Sequence, residues 1–493
     1  MSDSIPRHGM RIGGKKVGIE RGGERCIQVV NPFTRVGIAS VPKAIAIAHA
    51  YRPRLTRFER ATTLTRCAQL VRERATQIAA LISAESGLCL RDASHEAGRV
   101  ADVPVFGASE CLKDDSQIFS CGLTPHGRKR RVYTQRNPLL GVITAITSFN
   151  HPMNQVAHKV VPSIATNNRM LLKPSEKVPL SALLFADLLY ETGLPPERLA
   201  VVTGDPREIA DELITNPQVD LITFTGGVAI GKAIASRAGY KRTVLELGGN
   251  DPIIVMDDAD LDEASTLAVQ GSYKNSGQRC TAVKRLLVHE AVAARFTELV
   301  VKKTRAWRFG DPADASVEMG TVIDAAAARR FEASVNEAVA QGARLLAGNR
   351  RDGALYAPTV LDRVRPDMSL VLHETFGPVS PIITFADIDA AIRIAQRHGL
   401  RPVVGGVHEP ARPHHTLRGR AAGRHGERAR GARLPARADA VRQHQEFGAG
   451  PQGRRAGGDA ELYPCEDVFP ALGLSVNVMF FPRPGRPHPP PIR

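Results

Sequence analysis

The sequence lacks several features, and each absence narrows what the chain can be. No apolar run approaches the roughly 20 residues that a membrane span requires. The opening MSDSIPRHGMRIGGKK has none of the apolar core of a secretion signal, so a soluble, cytoplasmic protein is expected. The seven cysteines, at 26, 67, 89, 111, 121, 280 and 465, form no CxxC pair and are odd in number. That pattern argues against a zinc site or disulfide framework and for a reducing compartment, with no metal expected. Aromatic residues are scarce at 5%, with a single tryptophan, Trp307. Lysine is missing altogether from residues 396–493.

That last absence bears on the net charge of +16, which by itself suggests nucleic acid. Residues 396–493 hold 16 Arg and 8 acidic residues, a net of +8, and the other 395 residues hold 50 basic and 42 acidic, also +8. Half of the excess therefore sits in the last fifth of the chain. A basic arm for nucleic acid or an acidic membrane is the rival reading of that segment. Its scattered Gly, Pro and His, without interleaved lysine and aromatics, count against it; a strong, salt-dependent DNA affinity would favour it. No nucleic-acid and no membrane partner is expected.

The 493 residues leave room for two or three domains and a substantial core. From about residue 45 to 112 apolar residues recur at spacings of three and four, and TRFERATTLTRCAQLVRERATQIAALISAESG closes on a glycine. RKRRVYTQRNP reads as a strand closed by proline. Short β-rich runs then alternate with helices: LLGVITAITS, RMLLKPS, LAVVTG, LITFTGG and RTVLELGGNDPIIVMDD are separated by segments such as NQVAHKVVPSIATNN and LSALLFADLLYETG. A second block follows, with helices at 261–275 and 290–306 and strands RLLVHE, ARLLAG and VSPIITF. This alternation implies parallel strands joined by crossovers, an open α/β sheet.

A cysteine enzyme acting on a carbonyl needs a thiolate, donors for an oxyanion and a base for water. In YKNSGQRCTAVKR, residues 273–285, Cys280 follows a glycine, a glutamine and an arginine. The following TAVKRLLV reads as a helix, whose N-terminus favours thiolate and offers N–H donors. Local context alone leaves an inert buried cysteine equally open. Glu246 in VLELGGND closes an apolar strand, where a carboxylate points to the ligand crevice of an α/β sheet or pairs with a nearby lysine. Asn150 in SFNHPMNQ closes another; its side-chain N–H can join the Cys280 N–H as an oxyanion hole, or the residue can cap a helix. LLKPSE puts Lys173 and Glu176 past a strand end, where a carboxylate can accept from ribose hydroxyls, although a lone lysine there is commonly a surface residue. FTGGVAIG sets Gly226, Gly227 and Gly231 at a strand-to-helix junction open to a pyrophosphate, and there is no GxGxxG.

In order, the strand end at Asn150, LKPSE, FTGG with Gly231, ELGG, GQRC and, downstream, HETFGPVSPI at 373–382 resemble the aldehyde dehydrogenase superfamily over about residues 28–395. The resemblance implies an α/β fold with an open parallel Rossmann-like sheet for NAD, residues 1–118 and 138–246. It further implies a bridging, oligomerisation hairpin at 119–137 and a second α/β catalytic domain at 247–395. Cys280 is then the nucleophile that forms a thiohemiacetal with an aldehyde. Hydride passes to the nicotinamide, and water hydrolyses the resulting thioester. Asn150 and the Cys280 amide hold the oxyanion, and Glu246 is the deacylation base. Lys173 and Glu176 bind the adenosine ribose, Gly226, Gly227 and Gly231 line the pyrophosphate turn, and Glu374 and Phe376 hold the nicotinamide ribose and ring. A carboxylate at 176 repels a 2′-phosphate, so NAD is expected over NADP. Within the family, SFNHPMNQVAHKVVPSIATNN, AESGL, IFSCGLTPHG and GQRCTAVKR are most similar to enzymes that oxidise phosphonoacetaldehyde to phosphonoacetate. Arg279 and His151 then surround the aldehyde pocket with positive or hydrogen-bonding groups, and Arg99 in HEAGR is a further anion contact. The plainer readings make Arg279 a structural ion pair and His151 a cap or packing residue.

The chain departs from the family after FADIDAAIRIA. The family continues with a run like NGTAYGLSSG; codons for that run, read from one base earlier, give QRHGLRPVVG, residues 396–405. The same offset turns PQGRRAGGDAELYPCEDVFPALG into the family-like terminus HKEGVLEAMQSYTRVKTFSLPW. A change of reading frame near residue 395 accounts for the arginine without lysine and for the lost periodicity. A largely disordered tail is expected, with loss of the strand that makes a family dimer or tetramer, an uncovered sheet edge and impaired activity. In VPKAIAIAHAYRP the family's first helix is also about two turns short.

Overall fold

The computed structural model describes residues 10–12, 15–17, 26–30, 37–42, 54–113, 118–120, 131–133 and 142–396. The alternation read from the sequence becomes two sheets. The first has seven strands in the order 242–246, 219–225, 142–146, 169–173, 199–201, 10–12 and 15–17. Its first five strands run parallel, and Met10–Ile12 with Lys15–Val17 adds an antiparallel edge.

The helical region at 45–112 is three helices, Arg57–Glu73, Ala75–Ser86 and Leu90–Leu112, as far as it is described. Thr56 opens the first by a capping box with Glu59, and Gly87 closes the second at φ 76°, in the left-handed region that favours glycine. Helix Asn154–Ala165 is buried along its whole length. Its Val156, Val160 and Ile164 join Leu64, Val100 and Leu183 in one core on one face of the sheet. Helices Pro206–Thr215 and Val228–Arg237 close the other face through Leu213, Ile222, Phe224 and Ile234.

The second sheet has the order 252–255, 285–289, 379–385, 359–362 and 344–347, parallel except for the last strand. The stretch RTVLELGGNDPIIVMDD is divided between the two sheets: Arg242–Glu246 ends the first and Pro252–Val255 begins the second. LGGND is the passage between them. Arg285, 1% exposed, donates to the Asn250 carbonyl at 2.9 Å and to the carbonyls of Ile394 and Ala395 at 3.0 and 2.9 Å. One buried guanidinium thus ties the sheet junction to the end of the last described helix, Ile388–Gln396.

Helix 261–275 of the sequence reading stops at Tyr273, because Asn275, Ser276 and Gly277 all take positive φ, at 53°, 54° and 69°. Of the strand in RKRRVYTQRNP, Arg131–Tyr133 is described, paired antiparallel with Ile118–Ser120. Among the described residues no helix is long and apolar enough to cross a membrane. The expectations for the tail, apart from Gln396, and for the first helix before residue 54 lie outside the described residues.

Candidate active site

The loop that carries Cys280 is held rather than merely placed. Two non-glycine residues in the left-handed region cost on the order of 1–3 kcal/mol each, so they persist only where partners over-determine them. Here Asn275 N–H donates to Asp92 Oδ2 at 2.7 Å, Ser276 Oγ to the Thr321 carbonyl at 2.8 Å, and Ile323 N–H to Gln278 Oε1 at 3.0 Å. Gly277 tolerates no side chain, since a Cβ there would collide with the Gly377 carbonyl. The loop delivers Cys280 half-buried.

One expectation is overturned. No helix opens after Cys280: residues 281–284 form a turn and coil, and Arg285–His289 is a strand inserted parallel between Pro252–Val255 and Val379–Phe385. Pairing on both sides decides the conformation of RLLVH over its helical pattern. The helix N-terminus invoked to favour thiolate is therefore missing, and the Cys280 thiol is pushed up, not down. Burial is the main cause, the Lys284 ammonium opposes it, and the Glu246 carboxylate adds to it.

Lys284 carried no signal in the sequence. Its buried Nζ donates to the carbonyls of Gly249 at 2.9 Å and Cys280 at 3.3 Å, pairs with Glu374, and lies 5.3 Å from the Phe376 ring centroid. It is the cation that offsets the buried thiolate. Alkylation of Cys280 by iodoacetamide is accordingly expected to accelerate with a midpoint above the ordinary thiol value of about 8.5. Lys284→Met removes a group that lowers the thiol, so the midpoint moves higher and the rate at pH 8 falls. A midpoint that moves down, or not at all, contradicts this role.

Glu246 ends its strand opposite Thr225, and its carbonyl accepts from Gly226 N–H at 3.0 Å. Its side chain is half-buried and its charge reaches the Cys280 sulfur. Asn150 follows strand Val142–Ile146 and is 6% exposed. Ser148 Oγ donates to Asn150 Oδ1 at 2.8 Å, which leaves the amide N–H groups for an oxyanion. The Asn150 carbonyl accepts from Asn275 Nδ2 at 3.4 Å, joining this segment to the loop that carries Cys280. Asn150 is not a helix cap: the N–H groups of Met153 and Asn154 are taken by Glu96 Oε1 at 2.9 and 3.0 Å. Phe149 meets Phe376 edge-on, with ring centroids 5.9 Å apart.

The cofactor candidates lie along the carboxyl ends of the first sheet. Lys173 Nζ is 2.9 Å from Glu176 Oε2. Burial works to raise the Glu176 carboxyl, but the Lys173 ammonium and its hydrogen bond outweigh it, so the group titrates below the usual range and is ionised at neutral pH. A Cβ at Gly226 would run into the Phe224 ring and one at Gly231 into Leu247, whereas Gly227 faces open space. Gly227 starts helix Val228–Arg237 with no side-chain cap, so first-turn N–H groups are available to a phosphate. Glu374 is fixed by Lys284 and lies against Gly248, where a Cβ would strike its carboxylate. An open, uncapped glycine turn and an ionised carboxylate at the carboxyl ends of one parallel sheet fit a nicotinamide dinucleotide.

Three cationic or polar residues come from three segments. Arg279 donates from one terminal nitrogen to the Gly271 carbonyl at 2.8 Å, while its Nε is buried without a hydrogen-bond partner. Burial lowers its affinity for the proton, and Asp92 and Cys280 work against that. His151 Nδ1 is 3.4 Å from Glu96 Oε2 and 3.2 Å from Asn275 Nδ2. Arg99 is exposed on helix Leu90–Leu112, and after burial its charge is the largest influence holding down His158, to about 4, and His95. Glu96, Asn275 and Ser148 carry no local signal that marks them as parts of this assembly.

Residues 19–402 match the model of the aldehyde dehydrogenase family. The chain is 36% identical over 375 residues to the 3-sulfolactaldehyde dehydrogenase of Priestia megaterium, across 74% of this chain and 78% of that one. It superposes on the NAD-dependent aldehyde dehydrogenase from Sinorhizobium meliloti with a TM-score of 0.75 at 32% identity, across 80% of this chain and 81% of the other. The NADP-dependent glyceraldehyde-3-phosphate dehydrogenase from Bacillus halodurans, complexed with NADP, gives a TM-score of 0.75 at 34% identity, across 80% and 84%.

Proposed function

Since the chain belongs to the aldehyde dehydrogenase family, we propose that it oxidises a small anionic aldehyde, such as phosphonoacetaldehyde, to the carboxylate with NAD. The Cys280 thiolate bonds to the aldehyde carbon, and the carbonyl oxygen takes up the negative charge. Asn150 Nδ2–H and the Cys280 N–H are the donors for that oxygen. A bound nicotinamide cofactor supplies the hydride acceptor. Glu246 then takes a proton from a water that adds to the thioester carbon; the carbon–sulfur bond breaks, and the carboxylate and the Cys280 thiolate separate. Lys284 compensates the thiolate in both steps, and Glu374 and Phe376 orient the cofactor ring.

The observation that carries the anionic substrate is the Arg279 Nε, a buried charged donor without an acceptor, next to the nucleophile. Such a donor is costly to leave unpaired, and a phosphonate or sulfonate oxygen satisfies it. The names of two similar proteins, a sulfolactaldehyde and a glyceraldehyde-3-phosphate dehydrogenase, point to the same class of anion. Arg279→Ala is expected to raise KM for phosphonoacetaldehyde by about 10-fold to 100-fold, the worth of one charged hydrogen bond. KM for a neutral aldehyde of similar size should change less than about twofold. Equal effects on both reject the anion pocket. The ionised Glu176 sets the cofactor: kcat/KM with NAD should exceed that with NADP, and parity would remove that preference. A chain with the frame restored after residue 395, assayed beside this one, measures what residues 396–493 do to the rate.

A further inference from the structure

Two loops that carry the proposed chemistry are fastened to one short strip, residues 321–324. The strip holds the loop of Cys280 through Ser276 Oγ, which donates to the Thr321 carbonyl at 2.8 Å, and through Ile323 N–H, which donates to Gln278 Oε1 at 3.0 Å. The next side chain, Asp324, holds a different loop. Its Oδ2 pairs with Lys177 Nζ, 147 positions away in sequence, while its Oδ1 accepts from Ala327 N–H at 2.7 Å and caps helix Ala325–Ala340.

Lys177 belongs to residues 174–178, which join strand Arg169–Lys173 to helix Pro179–Glu191 and include Glu176. The helix start is fixed by the buried Glu85 carboxylate, which accepts from Leu180 and Ser181 N–H at 2.8 and 3.0 Å. Within the loop, Lys177 N–H donates to Ser175 Oγ at 3.3 Å and Val178 N–H to the Ser175 carbonyl at 3.2 Å. Val178, although it follows a strand of the first sheet, is buried in the core of the second with Ile323, Leu361 and Ile383. Lys177 Nζ lies 5.6 Å from the Phe149 ring centroid, and Phe149 rests on that same core. Glu176 has its own cation in Lys173, so one ammonium–carboxylate pair is internal to the loop and its neighbour crosses to the strip. Burial works to raise the Asp324 carboxyl, but the Lys177 hydrogen bond and the Ala327 N–H outweigh it, so Asp324 is ionised at neutral pH.

Resting on the reading of Glu176 as the ribose carboxylate, we infer that Asp324 is a positioning residue for the dinucleotide: by holding Lys177 it sets where Glu176 stands, in register with the loop of Cys280. The crossing pair is half-exposed, and such pairs add little to stability. Its effect is on place. Without it the loop keeps its two ends and Val178, but Glu176 shifts with Lys173, and a ribose meets a carboxylate that is no longer held where its hydroxyls need it.

Asp324→Asn separates the cap from the pair. Asparagine caps a helix as well as aspartate does, while its uncharged amide no longer holds the ammonium. Lys177→Met breaks the pair from the other side and keeps the unbranched stem. Each is expected to raise the Kd for NAD and for AMP about threefold to fivefold by calorimetric titration, with the Kd for nicotinamide mononucleotide within about twofold and Tm within a few degrees of wild type. The double variant should bind no more weakly than either single one, and Lys177→Arg, which keeps the charge, should bind NAD within about twofold of wild type. Equal losses for both halves of the cofactor, or losses that multiply in the double variant, overturn the inference. Glu176→Gln tests the reading beneath it. If that variant weakens NAD binding while neither Asp324→Asn nor Lys177→Met does, the inference fails and the ribose carboxylate stands. If Glu176→Gln leaves NAD binding unchanged, the ribose reading itself fails and the inference falls with it.

Discussion

Cys280→Ser is expected to lower kcat for aldehyde oxidation by at least about 10³-fold while cofactor binding is retained. The change exchanges one atom in a half-buried site, so the loop contacts of Asn275, Ser276 and Gln278 stay in place. What it removes is an acidity that Lys284 can bring into range; a serine hydroxyl is far too weak an acid for the same cation to matter. Cys67, Cys89 and Cys111 cannot substitute. Cys67 and Cys89 are pushed up to about 12, mainly by burial, and Cys111 is raised for the same reason. Steady-state NADH formation, with tryptophan or NAD titration as the control for binding, checks it. A variant retaining a tenth of wild-type kcat would rule out Cys280 as the nucleophile.

Glu246→Gln has the second largest expected effect, and its signature differs. In the proposed mechanism, formation of the thioester needs no base at 246 but its hydrolysis does, and general-base assistance is worth about 10²–10⁴ in rate. The variant should therefore release one equivalent of NADH in a burst and then turn over some 10²-fold or more slowly. Its carboxamide cannot take the proton of water, while the strand carrying it, paired to Val219–Thr225, is undisturbed. Removing a negative charge that raises the Cys280 thiol also makes the thiolate easier to form, so the burst should be no slower than in wild type. A lost burst would move the role of Glu246 to the acylation step.

The parts of the site that the sequence made legible are those fixed by local geometry. Glu246, Lys173 and the Gly226–Gly227 pair stand at the carboxyl ends of apolar strands, and a short apolar run closed by glycine or proline marks such an end without any tertiary knowledge. The parallel sheet was legible for the same reason. Residues that act across the chain were not. Glu96 meets Met153 from 57 positions away, and Lys284 meets Glu374 from 90. Nothing in either local pattern marks them as other than a helix-face glutamate and a loop lysine. The misread helix after Cys280 has a related cause. TAVKRLLV suits a helix and a strand alike, and the choice is made by two partner strands, one of them about 95 residues downstream. The reading of Arg279 as an ion pair likewise gave way to a carbonyl partner that only the fold supplies.

Every proposed role depends on a bond between the sulfur of residue 280 and the aldehyde carbon. Mass spectrometry of Glu246→Gln, quenched after mixing with NAD and phosphonoacetaldehyde, tests that bond directly. The expected result is a mass gain equal to the acyl group, mapped to the peptide that spans Asn275 to Lys284 and discharged by hydroxylamine. NADH formed without any adduct, or an adduct mapped to a different cysteine, would contradict it.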